Sequence, residues 1–140
     1  MRILTLDELD TKGKTVFLRV DMNSPMDPKT MQILETSRIR ESTESLKDLE
    51  DSKVVIASHQ GRVGNKDYTG MENHAKVLAQ ILGRDIKYVE DVIGSEAQKE
   101  IKNMKNGDIL LLDNLRLCAE ENYEFTSDNA SKIIMVSRLS

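Results

Sequence analysis

Four short runs of apolar residues recur along the chain and mark its predicted strands. Residues 14–20, 53–58 and 108–113 are almost continuously apolar, and a weaker run covers residues 86–89. A strand with one face in water alternates apolar and polar residues, whereas a strand covered on both faces does not. The runs therefore predict a parallel sheet that is buried on both sides.

Between these runs the apolar residues recur every three or four positions, which is the period of a helix. This pattern predicts helices over residues 38–50, between Thr69 and Gly83, over residues 95–104 and over residues 127–139. Strands and helices then alternate as βαβαβαβα, so we expect an α/β fold, a three-layer Rossmann-like parallel sheet with helices on both faces. In such folds, ligands bind beyond the carboxyl ends of the strands.

Particular residues mark the predicted helix ends. Thr69 with Glu72, and Ser95 with Gln98, have the spacing of a capping box, in which the serine or threonine side chain bonds a free N–H group of the first turn. Gly83 follows the second predicted helix as a C-terminal stop. We therefore expect Thr69 and Ser95 to cap the second and third helices.

Length, charge and cysteine content exclude several classes of protein. The 140 residues suffice for one domain with its own core, and the net charge of −4 does not suit a nucleic-acid-binding surface. No apolar run reaches the length of a membrane span, and the N-terminus lacks the apolar stretch of a signal peptide. The single cysteine, Cys118, fits a reducing compartment. We therefore expect a cytoplasmic protein that binds neither nucleic acid nor membrane and has no metal site.

Polar side chains follow three predicted strands at their carboxyl ends, and an arginine opens the first helix at the same edge. The converging set comprises Asp21, Asn23, Arg38, His59, Arg62 and Arg116. Arginines form paired hydrogen bonds with phosphate or carboxylate oxygens. A histidine can gain a proton as an anion binds, and aspartate and asparagine can bind a hydroxyl group. The set predicts a site for a small, doubly anionic, hydroxylated molecule.

Simpler interpretations of these residues stay open. An arginine in a loop is most often a solvated surface charge, and an aspartate after a strand often caps the next segment. His59 alone would more often be a structural histidine, and His74 lies on the apolar face of its predicted helix, in or near the core. Only the coincidence of three strand ends favours a ligand site.

Four segments of the chain resemble, in the same order, motifs of the phosphoglycerate kinase family. Residues 18–23, L-R-V-D-M-N, resemble L-R-V-D-F-N, and residues 37–40, S-R-I-R, resemble T-R-I-R. Residues 58–62, S-H-Q-G-R, resemble S-H-L-G-R, and residues 111–121 resemble L-L-E-N-x-R-F-x-x-E-E. Residues 26–30, M-D-P-K-T, and Gln60 in place of the leucine are most similar to the archaeal branch of the family.

The resemblance implies a kinase of glycolysis and gluconeogenesis. It would transfer a phosphoryl group reversibly between 1,3-bisphosphoglycerate with ADP and 3-phosphoglycerate with ATP. Asp21 and Asn23 would contact the hydroxyl and carboxylate end of 3-phosphoglycerate. Arg38 would be catalytic, because it would face the attacking carboxyl oxygen and stabilise the transferring phosphoryl group.

The resemblance also implies how the remaining ligand groups are held. His59, Arg62 and Arg116 would bind the 3-phosphate. In this family one lobe holds 3-phosphoglycerate and a second lobe holds ATP or ADP with Mg²⁺. Residues 1–140 resemble an incomplete first lobe. We therefore expect the nucleotide and Mg²⁺ to be bound by a lobe that this chain lacks, and the chain to be inactive alone.

Two further functions stay open at this stage. The chain could be a stand-alone, non-enzymatic α/β module that binds a phosphorylated metabolite. It could also be a structural or interaction domain. Because the first lobe looks incomplete, we expect an uncovered sheet edge and self-association through it.

Overall fold

The computed structural model describes residues 4–130 and 132–140. Its centre is one sheet of four parallel strands in the spatial order β1-β2-β4-β3. The strands are β1 (Thr15–Arg19), β2 (Lys53–Ala57), β3 (Lys87–Val89) and β4 (Ile109–Leu112). All four predicted strands are confirmed, each one or two residues shorter than its apolar run.

Helices and short 3₁₀ turns occupy the segments before, between and after the strands. The α-helices of the described residues are α1 (Ser37–Lys47), α2 (Glu72–Leu82), α3 (Ser95–Asn103), α4 (Ser127–Ala130) and α5 (Ile134–Leu139). The 3₁₀ turns are Leu6–Glu8, Leu115–Leu117 and Ala119–Asn122. Within the described parts of the chain, no helix is both long and apolar enough to cross a bilayer.

The prediction of a single helix over residues 127–139 is wrong, because α4 ends at Ala130 and α5 begins at Ile134. Ile133, just before α5, has an extended backbone with ψ of 146°. The Glu120 carboxylate accepts hydrogen bonds from the N–H groups of Ile134 and Met135, at 3.2 and 2.7 Å. A distant side chain therefore bonds the first turn of a new helix, which the local apolar period does not reveal.

The sheet is covered on both faces, which confirms the predicted three layers. Successive residues of β2 point in opposite directions. Val54 and Ile56 belong to the core cluster that includes residues of α1 and α2. Val55 and Ala57 belong to a second cluster, which includes residues of α3. The continuous apolar run of β2 thus fills two cores, and all four side chains are buried.

The predicted capping boxes are wrong, whereas Gly83 does terminate α2, with a φ of 64°. Neither Thr69 nor Ser95 is an N-cap, since α2 begins after Met71 and α3 after Gly94. The N–H of Met71 donates to the Asp113 carboxylate at 2.9 Å. Side chains from other segments therefore replace the local caps that the sequence suggested.

The Asp91 carboxylate bonds the start of α3. It accepts hydrogen bonds from the N–H groups of Val92, Gly94 and Ala97, at 2.7, 2.9 and 2.9 Å. Burial acts to raise the pKa of Asp91, but the backbone N–H groups outweigh it, so the pKa lies below its ordinary value of 3.8. The folded chain therefore stabilises the ionised carboxylate.

We expect Asp91→Asn to lower the free energy of unfolding by about 1 kcal/mol at neutral pH, as other cap removals do. The contribution of Asp91 is complete above the pKa of the unfolded carboxyl and is lost as pH falls through the lower folded pKa. The difference between the two proteins should therefore shrink in acid. Urea unfolding across a pH series measures it, with the exposed Asp85→Asn as the control. A difference that persists undiminished in acid would contradict the assignment.

Strand β1 is one edge of the sheet, and its outer face is incompletely covered. Phe17 lies in register with Val55, which is in turn paired with Leu110. Val55 and Leu110 are buried, whereas Phe17 is 39% exposed. Phe17 lines a groove of about 340 Å³ together with α5 residues such as Leu139. Self-association through this edge stays a prediction.

Candidate anion-binding site

A cleft of about 920 Å³ lies at the carboxyl ends of β1, β2 and β4, and three arginines line it. Arg19 is the last residue of β1, in register with Ala57 at the end of β2. Arg62 is in the loop after β2, and Arg116 is in the 3₁₀ turn after β4. The parallel sheet thus brings two predicted residues, Arg62 and Arg116, to one cavity, together with Arg19, which was not among the predicted site residues.

Arg116 is held at both its backbone and its guanidinium group. Its N–H donates to Asn114 Oδ1 at 3.1 Å, and its guanidinium Nη1 donates to the carbonyl oxygen of Gly61. Asn114 is fully buried, and its Nδ2 donates to the carbonyl oxygens of Gln60 and Thr69, each at 2.7 Å. The asparagine of the L-L-D-N-L-R segment therefore joins the loop after β4 to the loop after β2.

Gly61 gives the loop after β2 a path that other residues do not readily adopt. Its φ is +62°, and a Cβ there would lie 2.8 Å from backbone atoms of Asp67 and Tyr68. Its N–H donates to Asn23 Oδ1 at 2.8 Å. Asn23 therefore holds the loop that precedes Arg62, a structural contact that the predicted hydroxyl-binding role did not include.

Asp21 and Arg38 form an ion pair with each other, and neither is among the residues that line this cleft. Arg38 Nη1 lies 2.8 Å from Asp21 Oδ2, and the two side chains are 49% and 57% exposed. Asp21 Oδ1 also accepts a hydrogen bond from the N–H of Asn23 at 3.0 Å. The structure thus divides the predicted residues into a paired group (Asp21, Asn23, Arg38) and the arginine-lined cleft.

The pKa of His59 is influenced by charged residues of both groups. Burial lowers the pKa of His59 below its ordinary value of 6.5, and the positive charges of Arg116 and Arg19 lower it further. The carboxylates of Asp21 and Glu121 oppose that shift without reversing it. The ring is therefore mainly neutral at pH 7, and a bound dianion would favour its protonated form.

Glu121 is an acid within this cationic cleft. Its carboxylate forms an ion pair with the Arg19 guanidinium, and the Glu121 side chain is only 15% exposed. The pair neutralises one of the three arginines, so the positive charge of the cleft rests on Arg62 and Arg116. Arg19 could have been found from its place at a strand end, but the partnership with residue 121 is long-range and leaves no local pattern.

The chain is similar to proteins of known family. A family model described as "Phosphoglycerate kinase" matches residues 6–140. The phosphoglycerate kinase of Methanosarcina mazei is 46% identical over 136 residues, which cover 97% of this chain and 32% of that protein. That of Methanothermus fervidus is 48% identical over 122 residues, covering 86% and 30%. The chain thus spans about a third of the length of these relatives.

Solved structures agree with the sequence comparisons. The crystal structure of phosphoglycerate kinase from Pyrococcus horikoshii matches with a TM-score of 0.93 and 37% identity, covering 98% of this chain and 34% of that one. The Coxiella burnetii enzyme, 22% identical with a TM-score of 0.67, shares the fold. Because the family model matches residues 6–140, nearly the whole chain, the chain belongs to the phosphoglycerate kinase family.

Proposed function

We propose that this chain binds 3-phosphoglycerate for the phosphoglycerate kinase reaction. The main support for this proposal is the cleft lined by Arg19, Arg62 and Arg116 at the carboxyl edge of the sheet. The molecule has a net charge of −4, so this cluster opposes the average field of the protein. A small molecule that carries a phosphate matches this cluster, because Arg19 is paired with Glu121 and the guanidinium groups of Arg62 and Arg116 can donate to anionic oxygens.

The two groups of residues suit the two ends of this substrate. Arg62 and Arg116 would hold the 3-phosphate, and His59 would join them as a charged donor once the dianion raises its pKa. At the other end, Asp21 can accept a hydrogen bond from the substrate hydroxyl. Because Asn23 Oδ1 already accepts from Gly61, the Asn23 amide would act through its Nδ2 donor toward the carboxylate.

Arg38 would be the catalytic residue of this chain. In the kinase direction, the substrate carboxylate attacks the γ-phosphorus of ATP, the bond from that phosphorus to ADP breaks, and an acyl phosphate forms. Arg38, now paired with Asp21, is half-exposed and can turn its guanidinium toward the oxygens of the transferring group. Such transfer depends on positioning and on neutralising charge. We propose that ATP or ADP with Mg²⁺ is bound by the part of the longer relatives that this chain does not match, so that residues 1–140 alone are inactive.

Isothermal titration calorimetry with three ligands tests the proposal. We expect 3-phosphoglycerate to bind this chain, and glycerate, which lacks the phosphate, to bind at least about 30-fold more weakly, because two charge-assisted contacts are lost. Inorganic phosphate should bind more weakly than 3-phosphoglycerate, because it leaves the Asp21 end unfilled. Equal affinity for glycerate and 3-phosphoglycerate, or no binding by a folded chain, would refute the proposal.

A further inference from the structure

The side chain of Gln60 is a fully buried polar group with every hydrogen-bonding position used. Its Oε1 accepts from the N–H of Ser24 at 2.9 Å and pairs with His74 Nε2 at 3.0 Å. Its Nε2 donates to the carbonyl oxygens of Ser24 and Asp67, at 3.0 and 3.3 Å. One amide therefore joins the loop after β1, the loop after β2 and helix α2.

These partners fix the orientation of both side chains. The two carbonyl oxygens can only accept, so the Gln60 nitrogen must face them, and the N–H of Ser24 can only donate to Gln60 Oε1. His74 must then carry its proton on Nε2 to donate to that same oxygen. His74 is fully buried, and burial lowers its pKa to about 4, so the ring stays neutral at pH 7. The prediction that His74 lies in the core is confirmed.

The backbone of residues 60 and 61 forms hydrogen bonds with residues of the candidate site. The Gln60 carbonyl accepts a hydrogen bond from Asn114 Nδ2, and Asn114 Oδ1 accepts one from the backbone N–H of Arg116. The next residue, Gly61, donates to Asn23 and accepts from the Arg116 guanidinium. His74 itself is not among the residues that line the arginine cleft. Its hydrogen bond to Gln60 Oε1 therefore links it to the site.

We infer that Gln60 and His74 are positioning residues of this site. The His74 N–H adds a hydrogen bond that stabilises the orientation set by the other partners of the Gln60 amide, and that amide sets the spacing between the loop carrying Asn23 and the loop carrying Arg62. The family motif that residues 58–62 resemble, S-H-L-G-R, has leucine at the position of Gln60, and a leucine side chain can make none of these hydrogen bonds. These contacts therefore depend on glutamine at position 60, and the inference rests on the proposed substrate.

Two substitutions of His74 separate this role from simple packing. His74→Phe keeps a buried ring but removes the Nε2 donor, whereas His74→Gln restores an N–H donor at a similar reach. We expect calorimetry to show about 3- to 10-fold weaker binding of 3-phosphoglycerate by His74→Phe, the usual effect of one lost hydrogen bond. His74→Gln should bind within about 2-fold of the unsubstituted chain. Unchanged affinity in His74→Phe would overturn the inference, as would equal losses in both variants.

Amide hydrogen exchange provides a readout that needs no ligand. In His74→Phe we expect faster exchange at the N–H groups of Ser24 and Gly61, with the β4 amides of Leu110 and Leu111 unchanged. Exchange that rises equally in β4 would mean global destabilisation and would overturn the positioning role. If the unsubstituted chain fails to bind 3-phosphoglycerate, the proposed function fails, and the exchange pattern alone then decides whether the pair holds the two loops.

Discussion

Replacing Arg116 with alanine should weaken the binding of 3-phosphoglycerate by about 100-fold. Two losses combine. The guanidinium would supply charge-assisted hydrogen bonds to the 3-phosphate, each worth about 1.5–3 kcal/mol. The same guanidinium also donates to the Gly61 carbonyl, so its removal frees the loop that carries Arg62. Calorimetry measures the affinity. Arg116→Lys keeps one charge but not the planar guanidinium, so its affinity should lie between those of the unsubstituted chain and Arg116→Ala.

Arg84 offers a matched control for Arg116. Its guanidinium also donates to a glycine carbonyl, that of Gly107, but Gly107 precedes β4 and so lies at the amino-terminal edge of the sheet. Arg84→Ala removes the same charge and the same kind of contact from the opposite end of the molecule. Its affinity should match that of the unsubstituted chain. If both alanine variants bind equally well, the phosphate does not lie at Arg116.

The sheet was predictable because its signal is local. In β2 the apolar run from Val54 to Ala57 supplies both cores, so period and composition together identify a strand covered on both faces. Helix ends were less predictable. The contacts that start α2 and α5 come from Asp113 and Glu120, which lie far along the chain, and a local motif such as Thr69 with Glu72 cannot represent such partners.

The candidate site was predictable in place but not in its internal contacts. Parallel strands bring the residues that follow them to one edge of the sheet, which is why the sequence alone predicts that Arg62 and Arg116 lie together. The Arg19–Glu121 pair was not foreseen, since it joins residues 102 apart in the sequence. From the sequence, Gln60 differs from the family motif but shows no sign of a structural role. Its role depends on Ser24 and His74, and only folding brings them together.

Gly61→Ala should lower the free energy of unfolding by about 3 kcal/mol and abolish ligand binding. A residue with a side chain loses about 1–2 kcal/mol in the left-handed conformation that φ of +62° requires. The added Cβ would also lie 2.8 Å from the backbone of Asp67 and Tyr68, and backbone atoms cannot move aside as a flexible side chain can. Relieving this overlap costs a further 1–3 kcal/mol or so, as overpacking does elsewhere. Urea unfolding followed by circular dichroism measures the loss.

Gly83→Ala isolates the part of this loss that comes from the clash. Gly83 has nearly the same φ, +64°, but among the described residues no atom outside its own chain neighbours and helix backbone lies within 4 Å of the position its Cβ would take. It ends α2, away from the cleft, so Gly83→Ala should cost only the conformational part, about 1–2 kcal/mol, and should bind 3-phosphoglycerate normally. The difference between the two variants then measures how tightly residues 61–68 fold back on themselves. Equal losses of stability in both would mean that this loop yields to a methyl group, and Arg62 would then not be held in place by its own turn.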